Sequence, residues 1–213
     1  MSIGTLYIVA TPIGNLEDIT FRAVRILGEV DLIAAEDTRH SRKLLSHFGI
    51  SRPITSYYDH NKEFKGNYIL EKLGEGLSVA LIADAGTPCI SDPGYQLTRD
   101  AAANGIPVVP VPGPCAAIAA LSAAGLPTDR FVFEGFLPSR PGKRKEKLLS
   151  LRGEDRVAVL YESPRRILTT LTDMMEIMGN REVVVARELS KIHEEFVRGG
   201  LADVLGQLQE RQI

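Results

Sequence analysis

The sequence has no tryptophan and only two cysteines, Cys89 and Cys115, in 213 residues. Two cysteines cannot build a disulfide framework, and neither belongs to a CxxC pair, so a disulfide-stapled miniprotein and a zinc ribbon are both excluded. A reducing cytoplasm is the expected compartment. Aromatic residues make up only 6% of the chain, so its core must be built from Val, Ile, Leu and Ala. No apolar run reaches the roughly 18 residues of a membrane-spanning helix. Met1 to Gly4 shows no basic stretch leading into an apolar one, so neither a membrane association nor a signal peptide is expected. An excess of one charge is missing too. Lys plus Arg is 25 against 27 for Asp plus Glu, a net charge of -2. That argues against polyanion binding over the whole surface but allows a local basic patch.

What is present fits an ordinary globular chain of one to two domains. Hydrophobic residues are 44% and charged residues 24%, close to the average. The pattern predicts strands at Leu6–Ala10, Leu32–Ala35, Ile54–Tyr58, Val79–Ala83 and Val108–Val111. Between them it predicts helices opening at Asp18, at Thr38, near Phe64 and at Ser91-Asp92-Pro93, and an Ala-rich helix from Cys115 to Ala124. The strands are continuous apolar runs, as buried parallel strands are. This alternation predicts an α/β fold whose N-terminal domain is a mostly parallel sheet with helices on both faces. Gly125 to Asp129 reads as a linker, so the domains are expected at 1–125 and 126–213. The second is a smaller α/β unit with a mixed sheet. Its strands are predicted at Phe131–Phe136, Val157–Tyr161, Glu182–Arg187 and about Glu194–Arg198, and its helices at about Arg140–Leu151, from Ser163 to Met178, and Leu201–Gln209.

The common cofactor motifs are absent. Gly74-Glu75-Gly76 precedes a strand rather than following one, so the dinucleotide fingerprint fails. Gly142-Lys143 lacks the earlier glycine of a P-loop, because position 137 is Leu137. His40 and His47 lie two helical turns apart, about 10 Å, too far to share an ion, and no metal site is expected. There is no G-x-S-x-G nucleophile turn. What remains is three Gly/Pro-rich loops at strand ends: Thr11-Pro12-Ile13-Gly14-Asn15-Leu16, the segment Asp84 to Gly94, and Pro112-Gly113-Pro114-Cys115-Ala116-Ala117. Open α/β sheets bind ligands outside the carboxyl ends of their strands. Glycine lets a ligand approach the backbone, and proline lowers the ordering cost of the loop. The plainer reading is that each is a tight turn.

Read in order, these loops resemble the tetrapyrrole (corrin/porphyrin) methylase superfamily of S-adenosylmethionine-dependent methyltransferases, closest to the branch that methylates small-subunit ribosomal RNA. Ala34 to His40, Asp59-His60-Asn61, Asp129-Arg130-Phe131, Glu134 to Pro138, Tyr161-Glu162-Ser163 and Ala186 to Lys191 carry the same resemblance over nearly the whole chain. It implies two α/β domains with S-adenosyl-L-methionine held in a cleft between them, a homodimer and no metal. It also implies a reaction, 2′-O-methylation of a cytidine ribose in the decoding region of the small-subunit (16S) rRNA or of the 30S subunit. Family members continue past the last helix with a Lys-Gly-Glu segment and an apolar strand. This sequence stops at Ile213, where that segment begins, so the second domain is expected to be truncated at its C-terminal end.

Methyl transfer from a sulfonium to oxygen is an in-line displacement that needs orientation, a shaped pocket and a base. Asp84, at a strand end, can accept from the cofactor's ribose or ammonium. Pro12 and Gly14 belong to the first loop. The resemblance places Gly86, Thr87, Ile90 and Ser91 around the cofactor, with Ala116 and Ala117 small enough for it to pack on a helix start. Tyr161 and Glu162 would add contacts from the second domain. Glu36, Asp37, Arg39, His60 and Asn61 form a polar set at the ends of the second and third strands. Within it Asp37 or His60 can take the hydroxyl proton, and Arg39 can grip a phosphate. The plainer reading has Asp37 capping the following helix and pairing with Arg39. Arg140, Lys143, Arg144, Lys145, Lys147 and Arg152 surround a single acid, Glu146. They read either as a solvated helix face or as an RNA-phosphate patch, and the resemblance favours RNA. Two alternatives stay open. One is methylation of a tetrapyrrole or of another small-molecule or protein substrate; the other is a non-catalytic RNA- or cofactor-binding module.

Overall fold

The computed structural model describes residues 3–211, so Met1 and Ile213, named above, lie outside the described residues. The chain forms two compact units, one reaching Cys115 and one beginning at Ala116.

The first unit is built on five strands, β1 (Leu6–Val9), β2 (Leu32–Ala35), β3 (Ile54–Ser56), β4 (Val79–Ile82) and β5 (Val108–Val111). All neighbours are parallel, in the order β3-β2-β4-β1-β5. Its helices are α1 (Phe21–Glu29), α2 (Thr38–His47), α3 (Lys62–Gly74) and α4 (Tyr95–Ala103). Successive side chains of a strand point to opposite faces, and the core divides accordingly. Ile33, Ala35, Ala80 and Ile82 pack with Ala23, Ile26 and Leu27 of α1 and Leu45 of α2. Leu32, Ala34, Val79 and Leu81 pack with Ile69 and Leu73 of α3 and Leu97 and Ala101 of α4. Both faces are therefore covered, which is why these strands are apolar without alternation.

Three helix starts of this unit differ from the sequence pattern. The helix expected from Asp18 begins at Phe21. Leu16–Asp18 instead form a single 3-10 turn, and the Thr20 hydroxyl accepts the Ala23 N–H at 3.1 Å. The second helix is capped by Asp37 rather than Thr38, with the carboxylate accepting the Arg39 N–H at 2.8 Å. The helix expected from Ser91-Asp92-Pro93 opens only at Tyr95, because Ser91 (φ 64°) and Gly94 (φ 148°) take backbone angles no right-handed helix admits.

The second unit holds α5 (Ala116–Ala124), β6 (Phe131–Phe136), α6 (Pro141–Leu151), β7 (Val157–Tyr161), α7 (Ile167–Met178), β8 (Glu182–Arg187), β9 (Glu195–Gly200) and α8 (Leu201–Gln209). The pair β6–β7 is parallel and the pair β8–β9 antiparallel, so strands of both directions occur, as two separate pairs. Its core joins Leu171, Val197, Leu201, Val204 and Leu208. The sequence suggested a boundary after α5, whereas α5 belongs with this unit. It packs on β7 and β8, and the Arg198 guanidinium on β9 donates to the last carbonyls of α5, Ala123 at 2.6 Å and Ala124 at 3.1 Å. Among the described residues no helix is long and apolar enough to cross a membrane.

Leu27 is fully buried under the sheet, while Phe21, on the same helix, is 98% exposed. Leu27→Ala should therefore lower the unfolding free energy by about 2–5 kcal/mol, and Phe21→Ala should change it by less than about 0.5 kcal/mol. Denaturant titration of the two variants checks this.

Candidate active site

In a parallel sheet every strand ends at the same edge, so the segments following β1 to β5 share one rim. The strand order locates the crevice on it. The segment after β1 leads to α1, on one face, and that after β4 leads to α4, on the other. The neighbouring strands β1 and β4 thus send their chains apart, which is the switch point where such sheets bind ligands.

The three Gly/Pro-rich loops meet at this place. Thr11 and Gly86 form an isolated antiparallel bridge, with N–H···O bonds of 2.9 and 3.0 Å. The buried Thr11 hydroxyl also donates to the Ala83 carbonyl at 3.1 Å. The Thr87 hydroxyl donates to the Pro114 carbonyl at 3.0 Å, tying the second loop to the third. Two glycines keep the loops thin. A Cβ on Gly113 would come within 2.9 Å of the Ala10 Cβ, and one on Gly86 (φ 84°) would press on Ile13 at 3.4 Å. Cys89 and Ser91 hold φ of 71° and 64°, strain that non-glycine residues keep only where the surroundings enforce it. Pro12 is half-buried, and Gly14, Ile90 and Ser91 are exposed on this rim.

Asp84 links the rim to the second strand. Its Oδ1 accepts the Asp37 N–H at 3.0 Å. The Asp37 carboxylate itself is occupied, capping α2 and pairing with the Arg39 guanidinium at 3.3 Å. That guanidinium and the Arg39 N–H hold the Asp37 carboxyl below the usual range, which makes it a poorer proton acceptor than an ordinary carboxylate. The plainer reading of Asp37 as a cap is what the geometry shows. His60 is exposed and stacks edge-on with Tyr58, ring centroids 6.4 Å apart. Two carboxylates stand out instead. Burial, reinforced by Asp84, pushes Asp92 up to about 6. Burial and the charges of Asp92 and Asp84 also raise Glu36. Asp92 was missed as a site residue because Ser-Asp-Pro is a strong helix-start pattern. The signal available was its position in a loop rich in Gly and Pro at a strand end.

In the second unit Ala116, Ala117, Tyr161 and Glu162 line one open cavity of about 750 Å³. The Ala117 N–H donates to the Tyr161 hydroxyl at 3.2 Å. Glu162 is committed internally, accepting from the Ser163 N–H at 2.8 Å and the Thr170 hydroxyl at 2.7 Å and pairing with Arg166 at 3.1 Å. It braces the turn into α7. On α6 the sequence-predicted basic set divides. Arg140 and Lys143 are exposed. Arg144 is a correction: only 4% of its side chain is exposed, and it pairs with Asp173 at 2.6 Å, so it faces the core rather than solvent. Lys145 pairs with Glu176 and Lys147 with Glu134, each at 2.5 Å.

The family model of the tetrapyrrole (corrin/porphyrin) methylases matches residues 5–205. This chain belongs to that methylase family. A ribosomal RNA small subunit methyltransferase I of Pseudomonas aeruginosa is 56% identical over 205 residues, spanning 96% of this chain and 73% of that protein. Its namesake from Halalkalibacterium halodurans is 51% identical over 210 residues, 99% of this chain and 73% of that one. A solved diphthine synthase has the methylase fold of this chain, with a TM-score of 0.72 at 15% identity over 95% of this chain and 84% of that one. Among the described residues no His, Cys, Asp and Glu cluster could hold a metal ion.

Asp92 gives a pH signature. Its folded value of about 6 lies above the ordinary 3.8, so between those pH values the folded chain binds more protons than the unfolded one, and stability falls as pH rises. Asp92→Asn removes that dependence. Thermal unfolding of both proteins should show the variant's advantage growing from about pH 4 to pH 6 and levelling above.

Proposed function

We propose that this chain transfers the methyl group of S-adenosyl-L-methionine to small-subunit ribosomal RNA, on the ribose 2′-hydroxyl of a cytidine in the decoding region. The observation that carries the reading is the stapled rim at the β1/β4 switch point, in a chain more than half identical to proteins named as methyltransferases of that RNA. The cytoplasm and a homodimer belong to the same reading.

The rim fits the donor. Gly86 and Gly113 let the loops close on one another, since a Cβ at either would meet Ile13 or Ala10. Asp84 uses Oδ1 on Asp37, leaving its second oxygen to accept from a ribose hydroxyl or an ammonium. Thr87, Ile90 and Ser91 complete the loop beside it, and Pro12 and Gly14 lie on the loop bridged to it. In the second unit Ala116, Ala117 and Tyr161 are the contacts of this reading, and Glu162 supports them from behind through Ser163 and Thr170. The donor supplies an already activated methyl group.

The protein's own task is then to hold the ribose oxygen in line and to take its proton. Orientation of this kind is worth about 7–11 kcal/mol in favourable cases, and a well-placed base adds about 10²–10⁴-fold. Glu36 and Asp92, whose proton affinity lies nearer neutrality than that of Asp37, supply the accepting carboxylates, with His60 on the same rim. Arg39 is 87% exposed, and an exposed pair with Asp37 costs little to break. Its guanidinium is thus free to exchange that partner for a phosphate.

Tritiated methyl transfer to small subunits isolated without the modification tests the reading. Label recovered as 2′-O-methylcytidine is the expected result; label in a base, in a tetrapyrrole precursor, or in no RNA overturns it. Asp84→Asn keeps an acceptor for the Asp37 N–H while removing the charge. Calorimetry should show about tenfold weaker binding of the donor, roughly 1.4 kcal/mol, with an unchanged unfolding midpoint.

A further inference from the structure

The basic stretch most visible in the sequence, around α6, is half engaged: Arg140, Lys143 and Arg152 are exposed, but Arg144 is buried on Asp173, and Lys145 and Lys147 pair with Glu176 and Glu134 at the surface. A second one is less engaged. From Thr38 to Tyr58 the sequence contains no Asp or Glu. Within α2 the residues Arg39, Arg42, Lys43, Ser46 and His47 follow the spacing i, i+3, i+4, i+7, i+8, which places them on one stripe. All five are exposed, whereas Ser41 and Leu45 point into the unit. The stripe is about 12 Å long at 1.5 Å per residue. Among the described residues Arg39 pairs only with its near neighbour Asp37. Among the described residues no carboxylate lies within ion-pairing distance of Arg42 or Lys43. Arg52, also exposed, follows in the turn before β3.

The position of this stripe matters as much as its charge. Helix α2 opens at Asp37, whose N–H is held by Asp84, so the cationic face begins at the rim that carries the stapled loops and runs away from it along the sheet. A polyanion lying on the stripe has one end at the rim.

We infer that α2 is the phosphate-docking helix of this protein. Its Arg42 and Lys43 grip the backbone of a structured RNA, and α6 contributes less. The inference rests on the RNA-methylating reading for its ligand class, but its test can be separated from methylation. Cations that neutralise phosphates give a binding constant that falls with salt, and each lost contact lowers the slope.

The test compares two double variants, Arg42→Gln/Lys43→Gln and Arg140→Gln/Lys143→Gln, with the wild type. The probes are small ribosomal subunits lacking the modification and a mixed-sequence RNA hairpin, read by fluorescence anisotropy from low to moderate salt. For the α2 variant the expected result is at least about tenfold weaker binding at low salt and a slope of log K against log salt reduced by about 1.4–1.8. The α6 variant should stay within about threefold, and donor affinity and the unfolding midpoint should be unchanged in both. Equal losses in the two variants, a larger loss in the α6 variant, or no RNA binding by the wild type overturns the inference. So does competition by poly-glutamate as effective as that by RNA at equal charge. A wild type that binds RNA through α2 yet transfers no methyl group would refute the proposed activity and leave the docking helix standing.

Discussion

The antiparallel bridge between Thr11 and Gly86 is the constraint on which the site depends. The two strands it follows, β1 and β4, are parallel and send their chains to opposite faces of the sheet. Without a cross-link the two loops would splay apart at the rim. Two backbone hydrogen bonds, the buried Thr11 hydroxyl on Ala83, and Thr87 on Pro114 convert three separate turns into one rigid shelf. Rigid loops lose little entropy when a ligand arrives. The left-handed Cys89 and Ser91 are the local cost of holding that shape.

Electrostatics divides the rim into distinct tasks. Carboxylates gather where β2 and β4 end, and burial together with mutual repulsion raises Asp92 and Glu36. One residue further on, Asp37 is held the other way by Arg39 and the start of a helix. Beyond it α2 carries Arg39, Arg42 and Lys43 and no acidic residue. Negative and positive regions thus lie in sequence along a single βα connection. The proposed proton acceptor and phosphate grip need that separation if neither is to cancel the other.

Much of this was legible in the sequence, for identifiable reasons. Buried parallel strands announce themselves by unbroken apolar runs, so β2, β5 and β7 fall where Leu32, Val108 and Val157 suggest. Loop chemistry survives translation into structure because Gly and Pro act locally; hence the three rim loops were visible. Partnerships made across long stretches of chain were not. Nothing local tells that Arg144 will meet Asp173, twenty-nine positions away, or that Lys147 will meet Glu134, so a basic helix looked freer than it is. Nothing local tells that Gly94 and Ser91 will block the helix that Asp92-Pro93 invites.

The pair formed by Arg144 and Asp173 has a consequence for how the second unit assembles. The two groups sit on α6 and α7, both almost wholly removed from water. A buried charge without its partner is among the most unfavourable arrangements a protein can hold. Sliding either helix by one turn would strand both ions in the interior, so misaligned packings of two otherwise greasy surfaces are heavily penalised. Leucines alone would tolerate several alignments. The pair acts as a keyed joint, admitting one register and rejecting its neighbours.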